Sequence, residues 1–88
     1  MDFKAFRILK GWNLERAATE MRDSGHPDLA RINGSLIHKH ETGARFPRPG
    51  IIAGYAAISD GAVTAEDWVR AFDERRRVEG AAPERRMA

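Results

Sequence analysis

The sequence predicts an all-α fold, a compact bundle of five helices, on three observations. Apolar residues recur at three- and four-residue spacing in five separate stretches. Capping residues or prolines precede these stretches, and glycines or turn clusters close most of them. No stretch alternates as a strand would, and no repeat is present. With 88 residues there is room for one small domain, assigned to residues 1–74, followed by a charged tail at 75–88 that is expected to be disordered.

The first helix follows Asp2 as cap and carries Phe3, Phe6 and Leu9 at helical spacing, with Ile8 widening the stripe and Gly11 stopping it. Trp12 is a core anchor at the joint. The second helix starts from Asn13 as cap, with Glu15 in its positive first turn and Leu14, Ala17, Ala18 and Met21 on one face. Ala17 and Ala18 either admit a close helix neighbour or simply reflect helix propensity. Asp23 to Asp28 is a turn cluster, and Leu29 to Ile32 reads equally as a short helical turn or as loop.

Asn33 caps the third helix, about 33–42, which turns Leu36, Ile37 and His40 inward and Ser35, His38, Lys39 and Thr42 outward until Gly43 ends it. Pro47 and Pro49 fix the next loop, Pro49 at the first turn of a fourth helix whose stripe is Ile51, Ile52, Tyr55 and Ile58. Thr64, with Glu66 and Asp67 after it, opens a fifth helix that presents Trp68, Val69 and Phe72.

Composition narrows the function classes. A net charge of +2 is too mild to imply nucleic acid by itself, so the distribution matters more. Between Arg31 and Arg48 lie Arg31, Lys39, Arg45 and Arg48, with His38 and His40 beside them and Glu41 as the sole acid. Acids collect instead in Glu15 to Asp28 and Asp60 to Glu74. The absence of cysteine excludes a disulfide framework and thiolate metal sites and suits a reducing cytoplasm. The N-terminus lacks the apolar run of a signal peptide, no stretch approaches a membrane span, and a cytoplasmic protein without a membrane partner is expected.

The order of several motifs resembles a known family. Ile37-His-Lys-His-Glu41-Thr-Gly43-Ala-Arg45-Phe-Pro47 resembles the end of the recognition helix and the following loop in the phage-repressor-like (XRE, Cro-type) helix-turn-helix family. Gly11-Trp-Asn-Leu-Glu-Arg-Ala17-Ala18 is similar to the start of that family's second helix, and Ser59 to Trp68 to its junction between helices four and five. The resemblance covers about Phe3 to Phe72 and implies a sequence-specific double-stranded DNA-binding transcriptional regulator, expected as a homodimer, with the transcription machinery as a further partner. The chain departs from the family twice. Arg22 to Ile32 is longer than the family's tight turn, and Gly34 falls where a base-reading side chain is often found, which shifts direct contacts to its neighbours.

A major groove admits one helix, and base edges are reached by side chains on its outer face near the N-terminus. Asn33, Ser35, His38 and Lys39 are therefore the candidate base readers. Arg31, Thr42, Arg45 and Arg48 are the candidate phosphate contacts, which orient a protein without specifying sequence. Glu41 beside such a surface would repel phosphate, so a structural ion pair or hydrogen bond is the expected use.

Other chemistries find little support. His38 and His40 point about 200° apart on a helix and cannot share one ion, so no metal is expected. No cofactor and no enzymatic activity are expected either, since there is no glycine-rich phosphate loop and no convincing Ser-His-Asp set. Trp68, Val69 and Phe72 form either core or a dimer surface. The competing function is a protein-interaction module, an antitoxin-like or adaptor protein that uses the Trp68 and Phe72 face.

Overall fold

A computed structural model describes the backbone of residues 1–87 and the side chains of residues 1–79, and among these the chain forms five α-helices and one 3-10 turn, with no strand. The helices are α1 (Phe3–Leu9), α2 (Leu14–Asp23), α3 (Gly34–Glu41), α4 (Pro49–Ile58) and α5 (Ala65–Met87), with the 3-10 turn at Pro27–Leu29. Local chemistry sets most of these boundaries. Asp2, Asn13 and Asn33 each accept a hydrogen bond from the backbone N–H three residues on, at 2.7, 2.8 and 2.8 Å, which satisfies an otherwise orphaned donor in the first turn. At the end of α1 the N–H groups of Gly11 and Trp12 donate to the carbonyls of Ile8 and Arg7, a paired closure that turns the chain sharply.

The core is an aromatic stack enclosed by aliphatic side chains. Phe3, Tyr55 and Trp68 are buried in sequence, with ring centroids 4.7 Å apart for Phe3 and Tyr55 and 4.3 Å for Tyr55 and Trp68. Ala17, Ala18, Met21, Leu29 and Ile37 close around this stack. The two alanines are fully buried where α2 packs against α3, so small side chains at this crossing allow the close approach. Trp68 is 3% exposed and belongs to this core, not to the dimer surface in which it was a candidate.

Two parts of the fold differ from the sequence-based expectation. Leu9 and Ile8 stand out in solvent, Leu9 at 74% exposure, so the buried stripe of α1 is only Phe3 and Phe6. The helix ends before the stripe reaches another turn, and Trp12 fills the site instead by packing edge-on against Phe6 at 5.8 Å. The charged segment after Phe72 also differs, because Arg75 to Glu79 continues α5 as helix rather than opening a disordered tail. The ion pairs Arg75–Glu79 and Arg77–Glu74, at helical spacings, support it there. The remainder of the expected tail, 80–88, lies outside the residues whose side chains are described.

The long connection between α2 and α3 is anchored at several points. Leu29 and Ile32 are buried, and Arg22 Nη1 donates to the Ile32 carbonyl at 2.6 Å. The 3-10 turn packs on α4, where Leu29 presses on Gly54 so closely that a β-carbon there would lie 2.6 Å from Leu29 Cδ2. The added residues therefore make a second, short layer between α2 and α4 and leave the α2–α3 contact in place.

Candidate nucleic-acid interface

α3 is fixed from its inner side. Ile37 is fully buried, Leu36 is half-buried, and the ring of His40 is enclosed between Tyr55 and Trp68, with Nδ1 2.9 Å from the Tyr55 hydroxyl. Burial, aided by the charge of Arg45, lowers the His40 pKa to about 4, so the ring is neutral near pH 7. Burial, with a smaller contribution from Glu41, raises the Tyr55 phenol above its usual range. The pair is thus a neutral hydrogen bond sealed within an aromatic cage.

Glu41, the last residue of α3, receives a two-pronged ion pair from Arg7 of α1: Nε to Oε2 at 2.7 Å and Nη2 to Oε1 at 3.0 Å. The Arg7 Nη1 also donates to the Trp12 carbonyl at 3.3 Å, so one guanidinium ties the end of α3 to the joint between α1 and α2. The hydrogen bond that Arg7 donates to Glu41 raises the Arg7 pKa against the opposing effect of burial. The structural ion pair or hydrogen bond expected at Glu41 from the sequence had no named partner. Arg7 lies 34 residues away, and no local pattern connects the two.

The two ends of α3 depend on close backbone approach. Gly34 is buried against α2, where a β-carbon would lie 2.7 Å from Glu15 Oε1 and 3.4 Å from Leu14 Cβ. A side chain here would press on Leu14 and displace the end of the Glu15 side chain, so Gly34 lies at the contact between α2 and α3. Gly43 has φ +76°, a backbone conformation that side chains disfavour, and a β-carbon there would also collide with the Ala71 carbonyl and lie 2.8 Å from Arg75 Cβ on α5. The glycine stop thus doubles as the docking point of α3 on α5.

The outer side of α3 is different. Asn33, Ser35, His38, Lys39 and Thr42 are exposed, as are Arg31, Arg45 and Arg48. Among the described residues none of Arg31, Lys39, Arg45 and Arg48 enters an ion pair, whereas Arg7, Arg16, Arg70, Arg75 and Arg77 all do. Asn33 is the exception within the reader set, since its Oδ1 is engaged as the helix cap while its amide NH2 is free. Thr42 similarly donates its hydroxyl to the Lys39 carbonyl at 3.3 Å. His38 faces solvent while His40 is enclosed, so the two rings lie on opposite sides of the helix.

The loop after α3 is pinned at three places. The Arg45 N–H donates to the Lys39 carbonyl at 3.2 Å, Phe46 packs edge-on against Phe72 at 5.7 Å, and Pro47 is buried. Arg45 and Arg48 are therefore carried by an ordered backbone that follows directly from the exposed face of α3. The geometry defines a small all-α protein presenting a short helix and an adjoining loop whose exposed charges are positive and unpaired. No protein-family model matches the chain, and no match was found among curated proteins or solved structures. Among the described residues, no helix is long and apolar enough to cross a membrane.

Proposed function

We propose that this chain is a sequence-specific double-stranded DNA-binding regulator of the phage-repressor-like helix-turn-helix kind, working in the cytoplasm with α3 as the helix that enters the major groove. One observation carries the reading. From Arg31 to Arg48 every lysine and arginine is exposed and unpaired among the described residues, while the only acid, Glu41, is withdrawn into a bidentate pair with Arg7. A phosphate backbone approaching this surface meets positive charge without a competing exposed carboxylate from the same segment.

Within the reading, Ser35, His38 and Lys39 are the base readers on successive turns, and Lys39 is suited to guanine O6 or N7. Asn33 contributes chiefly through its free amide NH2, because its oxygen already accepts the cap bond. Arg31, Arg45 and Arg48 hold phosphates, with Thr42 as a neutral neighbour. Val69 and Phe72, joined by the exposed Phe46, are the candidate surface for a homodimer. The same apolar residues support the second reading, a protein-interaction module on this scaffold. Selection of bound duplexes from a random library separates the two readings. The regulator reading expects one enriched motif, and recovery of the starting pool without enrichment contradicts it.

A further inference from the structure

Glu15 belongs to α2, yet its side chain ends against α3. A β-carbon on Gly34 would stand 2.7 Å from Glu15 Oε1 and 3.4 Å from its Cδ, so the carboxylate fills the space that a side chain at position 34 would enter. The Glu15 backbone carbonyl accepts from Thr19 Oγ1 at 3.1 Å, but among the described residues neither carboxylate oxygen accepts a hydrogen bond or joins an ion pair. By contrast Glu20, further along α2, is held by Arg16, and Glu41 is held by Arg7. Glu15 is also exposed. An uncommitted carboxylate therefore stands at the first turn of α3, beside Ser35. Gly34 and Ser35 are both short, so this end of α3 can lie close to a base edge and bring the Glu15 carboxylate with it.

An ionised carboxylate accepts hydrogen bonds and donates none. Facing a phosphate it meets like charge, and facing guanine O6 and N7 or thymine O4 it meets another acceptor. The groups in a major groove that satisfy it are the amino groups of cytosine and adenine. Cytosine shows its N4 amino group alone, whereas adenine sets the acceptor N7 beside N6. Resting on the assignment of α3 to the major groove, we infer that Glu15 is a further base-reading residue, which accepts from cytosine N4 at the base pair facing the first turn of α3. α2 thus supplies a reading group at the place where Gly34 has none.

The test is selection of bound duplexes from a random library by the full chain, by Glu15→Gln and by Glu15→Ala, with melting temperatures measured alongside. The parent motif is expected to contain one position where cytosine is preferred about tenfold. Glu15→Gln should turn that position toward adenine, which a side-chain amide reads through N6 and N7, and Glu15→Ala should flatten it. All other positions of the motif should stay as they are. Glu15 is exposed, so both variants should melt close to the parent. A motif that is identical in all three chains overturns the inference and leaves the DNA reading standing, whatever the melting temperatures do. So does Glu15→Ala binding every sequence more tightly by one common factor, the result for a carboxylate that merely repels phosphate. A parent chain that enriches no motif overturns the DNA reading and this inference with it.

Discussion

The two sides of α3 obey opposite rules. On the inner side the key polar groups are partnered: His40 Nδ1 with Tyr55 and Glu41 with Arg7, and the backbone turns at Gly43 against α5. On the outer side Ser35, His38 and Lys39 reach solvent with no side-chain partner among the described residues, and Arg31, Arg45 and Arg48 are likewise unpaired. Partnered groups fix where the helix sits, and unpartnered ones are what it can offer a ligand. Substitutions on the inner side should therefore cost stability, while those on the outer side should cost binding alone.

The largest effect is expected at Arg7. Arg7→Ala leaves the Glu41 carboxylate, 4% exposed, without its counter-charge, and losses of about 3–5 kcal/mol are typical for such a change. Denaturant unfolding measures it, and Arg7→Met combined with Glu41→Leu should recover much of the loss. Gly43→Val comes next, at about 3 kcal/mol, since a β-branched side chain is disfavoured at φ +76° and collides with α5. A loss below about 1 kcal/mol would mean that α5 yields at this point.

The His40 site makes a prediction about pH. Its pKa is 6.5 in the unfolded chain and about 4 in the fold, so between these values the unfolded state binds the extra proton. Stability from this group is complete above about pH 6.5, falls as pH is lowered toward about 4, and changes no further below that. The total is up to about 3 kcal/mol. Melting temperatures across this window should slope for the parent chain and lose that component in His40→Gln.

Much of the scaffold was legible because its signals are local. Asp2, Asn13 and Asn33 cap helices three residues downstream, and Gly11 and Gly43 stop them, all within one turn of the residue that signals the boundary. The inward set Ile37 and His40 and the outward set of α3 followed from helical phase. What escaped was decided by distant partners. Helical spacing put Leu9 on the same stripe as Phe6, but only the packing of Trp12 shows that the stripe ends early. The approach of Leu14 and Glu15 to Gly34 is a tertiary fact that no local pattern signals. Asn33 is both a candidate reader and a cap, and its cap bond to the Leu36 N–H fixes how its side chain is held.

The smallest expected change in stability, within about 0.5 kcal/mol, belongs to the double substitution Lys39→Ala, Arg45→Ala, because both side chains are exposed and unpaired. The same variant provides the most direct test of the account. Titrating binding to duplex DNA against salt, the parent chain should show a log–log slope of about −3 per domain, for the phosphate contacts of Arg31, Arg45 and Arg48. The variant should bind more weakly with a slope shallower by about 1, from the loss of Arg45, and keep an unchanged melting temperature. A slope near zero for the parent chain, or equal affinity in a folded double variant, would contradict the assignment of the outer face of α3 to DNA.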